Sequence, residues 1–222
     1  MSIHNDSNSI ESSQFELNES DRLIITRNLE KIKEYAIQHL ENNDLHGLGH
    51  VERVIENIKR ICAVIHKDSS ILEALGWLHD IGRKYEQYKG KNHAEISSEL
   101  AIEILQSIGV SNEGIKYMQH AILTHSFSLN LTPKNQDAKI LRDADRLDAI
   151  GAVGIFRVCT YTFERNQPLS IIIDHIDEKL LKLKNSMETE AGRAIAETRH
   201  RKVAEFREWL ADELSQSDLR WK

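Results

Sequence analysis

The chain has 222 residues, with 29 Lys and Arg against 35 Asp and Glu, a formal net charge of −6. That length fits one domain with at most an appendage. The acidic balance excludes a general basic footprint for extended nucleic acid, and no apolar run approaches the roughly 20 residues of a bilayer span.

Residues 1–19 are rich in Ser, Asn and Glu without a hydrophobic period. They are expected to form a flexible N-terminal arm ahead of a domain over 20–222. Beyond them the apolar spacing is helical. Ile25, Leu29, Ile32, Ala36 and Leu40 share one face of a first helix, ended by Asn42, Asn43 and Asp44. Val54, Ile58, Ile61 and Ile65 define a second. Ser69 or Ser70 caps a third, carrying Leu72, Leu75 and Leu78, which Gly82 would stop. A charged loop over 83–91 leads to Asn92, the expected cap of a helix with Leu100, Ile104 and Ile108, closed by Gly109. Ser111 opens the next, with Ile115, Met118 and Ile122. A loop over 127–134, turning at Thr132 and Pro133, precedes a helix ending near Asp148. A helix punctuated by Gly151 and Gly154, one opened by Pro168 and Ser170, and a long one over 190–214 complete the chain. No alternating strand pattern of useful length occurs. The expected fold is all-α, a compact single-domain bundle of eight or nine helices.

Two cysteines, Cys62 and Cys159, make no disulfide framework. The polar first twenty residues lack the apolar segment of a secretion signal. A cytoplasmic location is expected, with no membrane partner and no extended nucleic acid; the oligomeric state is not written in the sequence.

The eleven histidines are informative by position. His50 lies on the apolar stripe of Val54, Ile58 and Ile61, His79 on that of Leu72 and Leu75, His93 on that of Leu100 and Ile104, and His125 on that of Met118 and Ile122. Asp145 follows Leu141 by one turn. A lone inward His is commonly a hydrogen-bonded core residue, but buried carboxylates cost several kcal/mol unless neutralised. A divalent cation would remove that cost for the whole set. His79 and the adjacent Asp80 point about 100° apart if helical, so they reach one ion only beside a helix end, which Gly82 supplies. Two imidazoles and two carboxylates, with water in the open positions, suit Mn, Fe, Co or Ni rather than closed structural zinc.

His50 in HGLGHVERV, His79 and Asp80 in WLHDIGR, and Asp145 in LRDADRLDAIGAVG resemble the ordered signature of the HD superfamily of metal-dependent phosphohydrolases. HSFSL over 125–129, TPKNQDAKILRDADRLDAIGAVGIFRV over 132–158 and KLLKLKNSMETEAGRAIAETRHRKVAEF over 179–206 resemble its bacterial branch that includes nucleotide pyrophosphohydrolases. The resemblance spans about 40–207. It implies an all-helical fold and carries the metal ligands to His50, His79, Asp80 and Asp145. It also separates Asp145 from Asp143 and Asp148, which are expected to orient histidines.

The expected activity is hydrolysis of a phosphate ester or anhydride, with a nucleotide as the expected substrate class, by metal-activated water. One ion per chain is favoured over two. His93 and His125 are expected to be catalytic, moving protons to or from the reacting oxygens. Arg83, Lys91, Arg146 and His46 are candidates for binding the phosphates of a small phosphorylated substrate. The run Arg199, His200, Arg201, Lys202 is either a solvated face or part of the substrate mouth. Two alternatives stand beside this reading: a di-iron oxygenase, in which His93 with His120 or His125 completes a second metal site, and a metal- and nucleotide-binding module without turnover.

Overall fold

The computed structural model describes residues 16–217. Leu17 is buried, and the Asn18 side chain caps the first helix by accepting from the Asp21 amide at 2.8 Å. Packed structure thus begins inside the expected arm, whose residues 1–15 lie outside the described residues.

Two helices, α1 (Glu19–Arg27) and α2 (Leu29–His39), replace the single one expected at the start. Asn28 divides them. Its Nδ2 donates to the Ile24 carbonyl at 2.8 Å, and its backbone N–H bonds to the carbonyls of the last turn of α1. Such local bonding competes with continued helix. Then come α3 (Leu48–Val64) and α4 (Ser70–Leu78). A 3-10 turn (Arg83–Tyr85) and one turn of helix, α5 (Glu86–Lys89), occupy the expected charged loop. They lead to α6 (His93–Ser107), α7 (Asn112–His125), α8 (Gln136–Asp148), α9 (Ala152–Glu164), α10 (Ser170–Glu178), a second 3-10 stretch (Leu180–Ser186) and α11 (Glu190–Ser215). Among the described residues there is no strand, and ten helices have nine residues or more. The all-α expectation holds, with the count raised by the break at Asn28. The turn after α7 falls at 127–130, not at Thr132 and Pro133: Asn130 takes φ +49°, a left-handed conformation that Asn tolerates.

α4 is the centre of the bundle. Seven of its nine residues are buried, and it packs against α1, α2, α3, α6, α7 and α8. A helix apolar on nearly all sides belongs in a core, and SILEALGWL is such a sequence. Its C-terminal end opens onto the histidine cluster. The remaining elements form a second layer: α11 lies against α8, α9, α10 and the second 3-10 stretch. Asp143 anchors this layer, accepting from the Glu188 and Thr189 amides at 2.8 Å each and from the Thr189 hydroxyl at 2.7 Å. No described helix is long and apolar enough to cross a membrane.

Candidate metal centre

The residues of the cluster sit at helix ends. His50 is in the first turn of α3, His93 begins α6, His125 ends α7, and Asp145 is in the last turn of α8. His79 caps the C-terminus of α4, and Asp80 occupies the turn that follows. Gly82 closes that turn against α6: a Cβ there would lie 2.5 Å from both the His93 carbonyl oxygen and the Ser97 amide. Only a hydrogen fits, and the Gly82 amide donates to the Ser97 hydroxyl at 2.8 Å. A capping box between Asn92 and Glu95 fixes the start of α6, and with it His93.

Asp80 is the hub. Its Oδ2 lies 3.6 Å from His50 Nε2 and 4.0 Å from His79 Nε2. Its Oδ1 lies 3.5 Å from His93 Nε2 and 3.6 Å from His125 Nε2. Asp145 Oδ1 is 3.4 Å from His50 Nε2. Solvent reaches the cluster at Asp145, which is 27 % exposed while His50, His79, Asp80 and His125 are buried.

The second ring nitrogens fix the tautomers. His79 Nδ1 faces the Gly76 carbonyl at 2.7 Å, and His125 Nδ1 faces that of Ile122. His50 Nδ1 faces Asp148 Oδ2 at 2.8 Å, and His93 Nδ1 faces Glu86 Oε1 at 3.2 Å. Each partner only accepts, so each Nδ1 carries the proton. In a neutral ring the Nε2 then presents a lone pair. His50 and His79 aim theirs at one another across 3.3 Å, where two lone pairs repel unless a cation or proton stands between them.

The electrostatics agree. Burial pushes His79 down to about 4. Burial acts the same way on His50, but Asp145, Asp148 and Asp80 outweigh it and raise the group to about 9. Burial opposes the charge of Asp80, yet Arg83 and the imidazoles hold its carboxyl well below the usual range. The carboxylates therefore favour positive charge at His50, while burial keeps the His79 ring neutral. His50, His79 and Asp145 form one group able to hold a metal ion, and His79, Asp80 and His125 form another. Neutral imidazoles and ionised carboxylates are the donor set a divalent ion requires.

Other expected site residues fall unevenly. Arg83 reaches the cluster but lies on Asp80, with its Nη2 3.1 Å from Oδ2. Arg146 turns away, donating to the Ser186 carbonyl and stacking over the Phe127 ring at 6.0 Å. Lys91 pairs with Glu99 at 2.7 Å on the surface of α6. Asp148 orients His50, as expected, whereas Asp143 serves the second layer. His46 lines a pocket of about 290 Å³ with Arg157, Tyr161, His175 and Lys179. There Arg157 donates to His46 Nδ1 at 2.9 Å and to Asp148 Oδ2 at 3.1 Å. Enclosure and the nearby Arg157 hold the Lys179 ammonium below its ordinary value, with Asp145 pulling the other way. Sequence reasoning missed Arg157 and Lys179. The one signal was a lone arginine in the apolar run IFRV. It also missed Arg53 on Asp148 at 2.7 Å, and Glu86, which sits in the expected charged loop over 83–91.

Comparison with known proteins gives the class. The HD domain family model matches residues 47–150. The uncharacterized protein YpgQ of Bacillus subtilis strain 168 is 31% identical over 169 residues, 72% of this chain and 80% of that one. A predicted HD superfamily hydrolase from an uncultured Thermotogales bacterium superposes with a TM-score of 0.63 at 31% identity, over 84% of this chain and 93% of the other. The complex of B. subtilis YpgQ with ADP gives a TM-score of 0.69 at 26% identity, over 86% and 96%. The chain belongs to the HD superfamily.

Proposed function

We propose that the protein is a metal-dependent phosphohydrolase acting on a phosphate ester or anhydride of a nucleotide. The observation that carries this reading is the convergence of imidazole lone pairs and carboxylates around Asp80, beside a pocket lined by Arg157 and Lys179. The ADP complex of YpgQ supports the nucleotide.

His50, His79, Asp80 and Asp145 would hold one divalent ion, of the class Mn, Fe, Co or Ni. When bound, such an ion supplies Lewis acidity toward a phosphoryl oxygen and lowers the pKa of water. Arg157 and Lys179 pair with the nonbridging oxygens and offset charge as the phosphorus–oxygen bond breaks. His125 Nε2 accepts the proton of the attacking water. His93, entering the cycle as the imidazolium with its Nδ1–H on Glu86, gives its Nε2 proton to the leaving oxygen, and the proton taken up by His125 restores the pair. Arg83 stays on Asp80 and fixes its orientation.

The division of Asp80 favours one second reading, in which two ions share the carboxylate and His125 becomes a ligand. Chain stripped of metal, reloaded separately with Mn, Fe, Co, Ni or Mg and assayed on nucleoside mono-, di- and triphosphates for phosphate against pyrophosphate release tests the main reading. Turnover with at least one ion is expected. No turnover with any ion on any nucleotide would sink it. Two ions per chain with a mixed-valence iron absorption band would move the assignment to an oxygenase.

A further inference from the structure

Asp148 also borders a second pocket, of about 370 Å³, which none of the four clustered imidazoles lines. That volume lies within the range of ligand sites, roughly 300–1,000 Å³. Its walls come from α3, the start of α9 and α11. Four cations face it, Arg53, Arg60, Arg199 and Lys202, against the carboxylates of Glu56 and Asp148. Asp148 is shared with His50, Arg157 and the pocket's own Arg53, and Arg60 pairs with Glu56 at 3.5 Å, so Arg199 is the pocket's buried cation whose named partners are neutral. This is a cationic concavity on a chain whose net charge is −6.

Arg199 is the central wall. Its guanidinium donates to two neutral acceptors, the Leu147 carbonyl and Asn57 Oδ1 at 2.8 Å. Neither compensates its charge. Burial and repulsion from Arg60 hold it below its ordinary value, with Asp148 acting weakly the other way. The stem crosses Gly151, which sits at φ +87°; a Cβ at Gly151 would meet Arg199 Cβ at 3.2 Å. Bare backbone therefore lies against the aliphatic stem of Arg199. Gly151 is also the N-cap of α9, a thirteen-residue helix with no side-chain cap, and Ala152 and Val153 line the same pocket. The first amides of a helix and its dipole favour an anion. From the run 199–202, Arg199 and Lys202 line this wall, three residues apart on one face of α11.

We infer that this pocket binds a small phosphate-bearing anion of diphosphate size or larger, held by Arg60, Arg199 and Lys202 against the start of α9. It is separate from the substrate site. Inorganic pyrophosphate and a nucleoside diphosphate share the chemistry that would be recognised.

Calorimetric titration of the full chain with pyrophosphate, and separately with ADP, in the presence of a chelator tests this without relying on the metal centre. Arg60 is 58 % exposed and Lys202 is exposed, so the double variant R60Q/K202Q keeps the core intact; its thermal melt checks folding. Pyrophosphate binding about tenfold or more weaker in the double variant is expected, with the same weakening when both changes are made on a Lys179→Gln background, which removes the phosphate contact of the substrate pocket. Within the binding that R60Q/K202Q weakens, a tighter ADP than pyrophosphate affinity would assign the pocket to a nucleotide, and an equal or weaker one to the phosphates alone. Absence of pyrophosphate binding to wild type, equal affinity in the double variant, or loss of binding in Lys179→Gln would overturn the inference.

Discussion

Residues 47–150 contribute all the imidazoles and carboxylates that meet around Asp80, whereas residues beyond 150 contribute Arg157 and Lys179 to the adjoining pocket; the one behind Asp148 draws on both, Arg53 and Arg60 from the first and Arg199 and Lys202 from the second. The first segment matches the family model; the second lies outside it. The difference is physical as well as genealogical. Neutral imidazole and ionised carboxylate are ligands for a cation, while guanidinium and ammonium groups recognise anions. Metal chemistry and substrate recognition would then reside in different layers, joined through Asp148, which touches His50 from one layer and Arg157 from the other. Such a division would let the outer layer change its substrate without disturbing the inner one.

The largest expected effect breaks the inner layer. His79→Ala, Asp80→Ala and Asp145→Asn should each abolish stoichiometric metal, measured as metal per purified chain. Asp143→Asn should retain metal, because Asp143 serves the Thr189 turn. Full metal in Asp80→Ala, or an empty site in Asp143→Asn, would reverse the assignment.

Next come His93→Ala and His125→Ala, which should keep one ion and lose about 10²–10⁴-fold in kcat. A drop in metal content in His125→Ala would instead make that residue a ligand. A smaller effect is expected from Lys179→Gln: metal retained, with KM for a nucleotide raised about 10–100-fold, as for a lost charge-assisted hydrogen bond. Unchanged KM would remove the outer layer from substrate recognition.

Asp148→Asn probes the joint. Its expected outcome is metal affinity about 10–100-fold weaker at unchanged saturating stoichiometry; equal affinity would show that His50 needs no such partner.

The smallest effect sets the acid limit for these experiments. Burial opposes the charge of Asp21, but hydrogen bonds from Ser111 and Asn18 outweigh it and lower its pKa below 3.8. A depressed carboxylate contributes stability above its unfolded pKa, and that contribution is lost as pH falls through the folded value. Asp21→Asn should therefore flatten the decline of unfolding free energy with acid between about pH 5 and 2. An unchanged slope in urea titrations across that range would refute the sign.

Much of the inner layer was legible because its signals are local. The stripe of Leu72, Leu75 and Leu78 marked a helix, and that helix became the buried centre. Asn92 and Ser111 stand where caps are needed, and each caps its helix. His50, His79, His93 and His125 lie on apolar stripes, so their inward direction followed from helical period alone. The break at Asn28 was missed because it depends on a side chain bonding back to Ile24, which periodicity does not register.

What the sequence determined by itself was the all-α class, the order of the helices and which imidazoles face inward, because helical period and capping act over a few residues. Tertiary structure alone decided that Arg157 meets His46 across 111 positions, that Arg146 turns to Ser186 while Lys91 stays with Glu99, and that Asp143 holds Thr189 rather than a histidine. Arginine and lysine have long, flexible side chains compatible with either a solvated face or a pocket. Their direction is set by whichever acceptor the packed second layer brings within reach, and no local pattern encodes that acceptor.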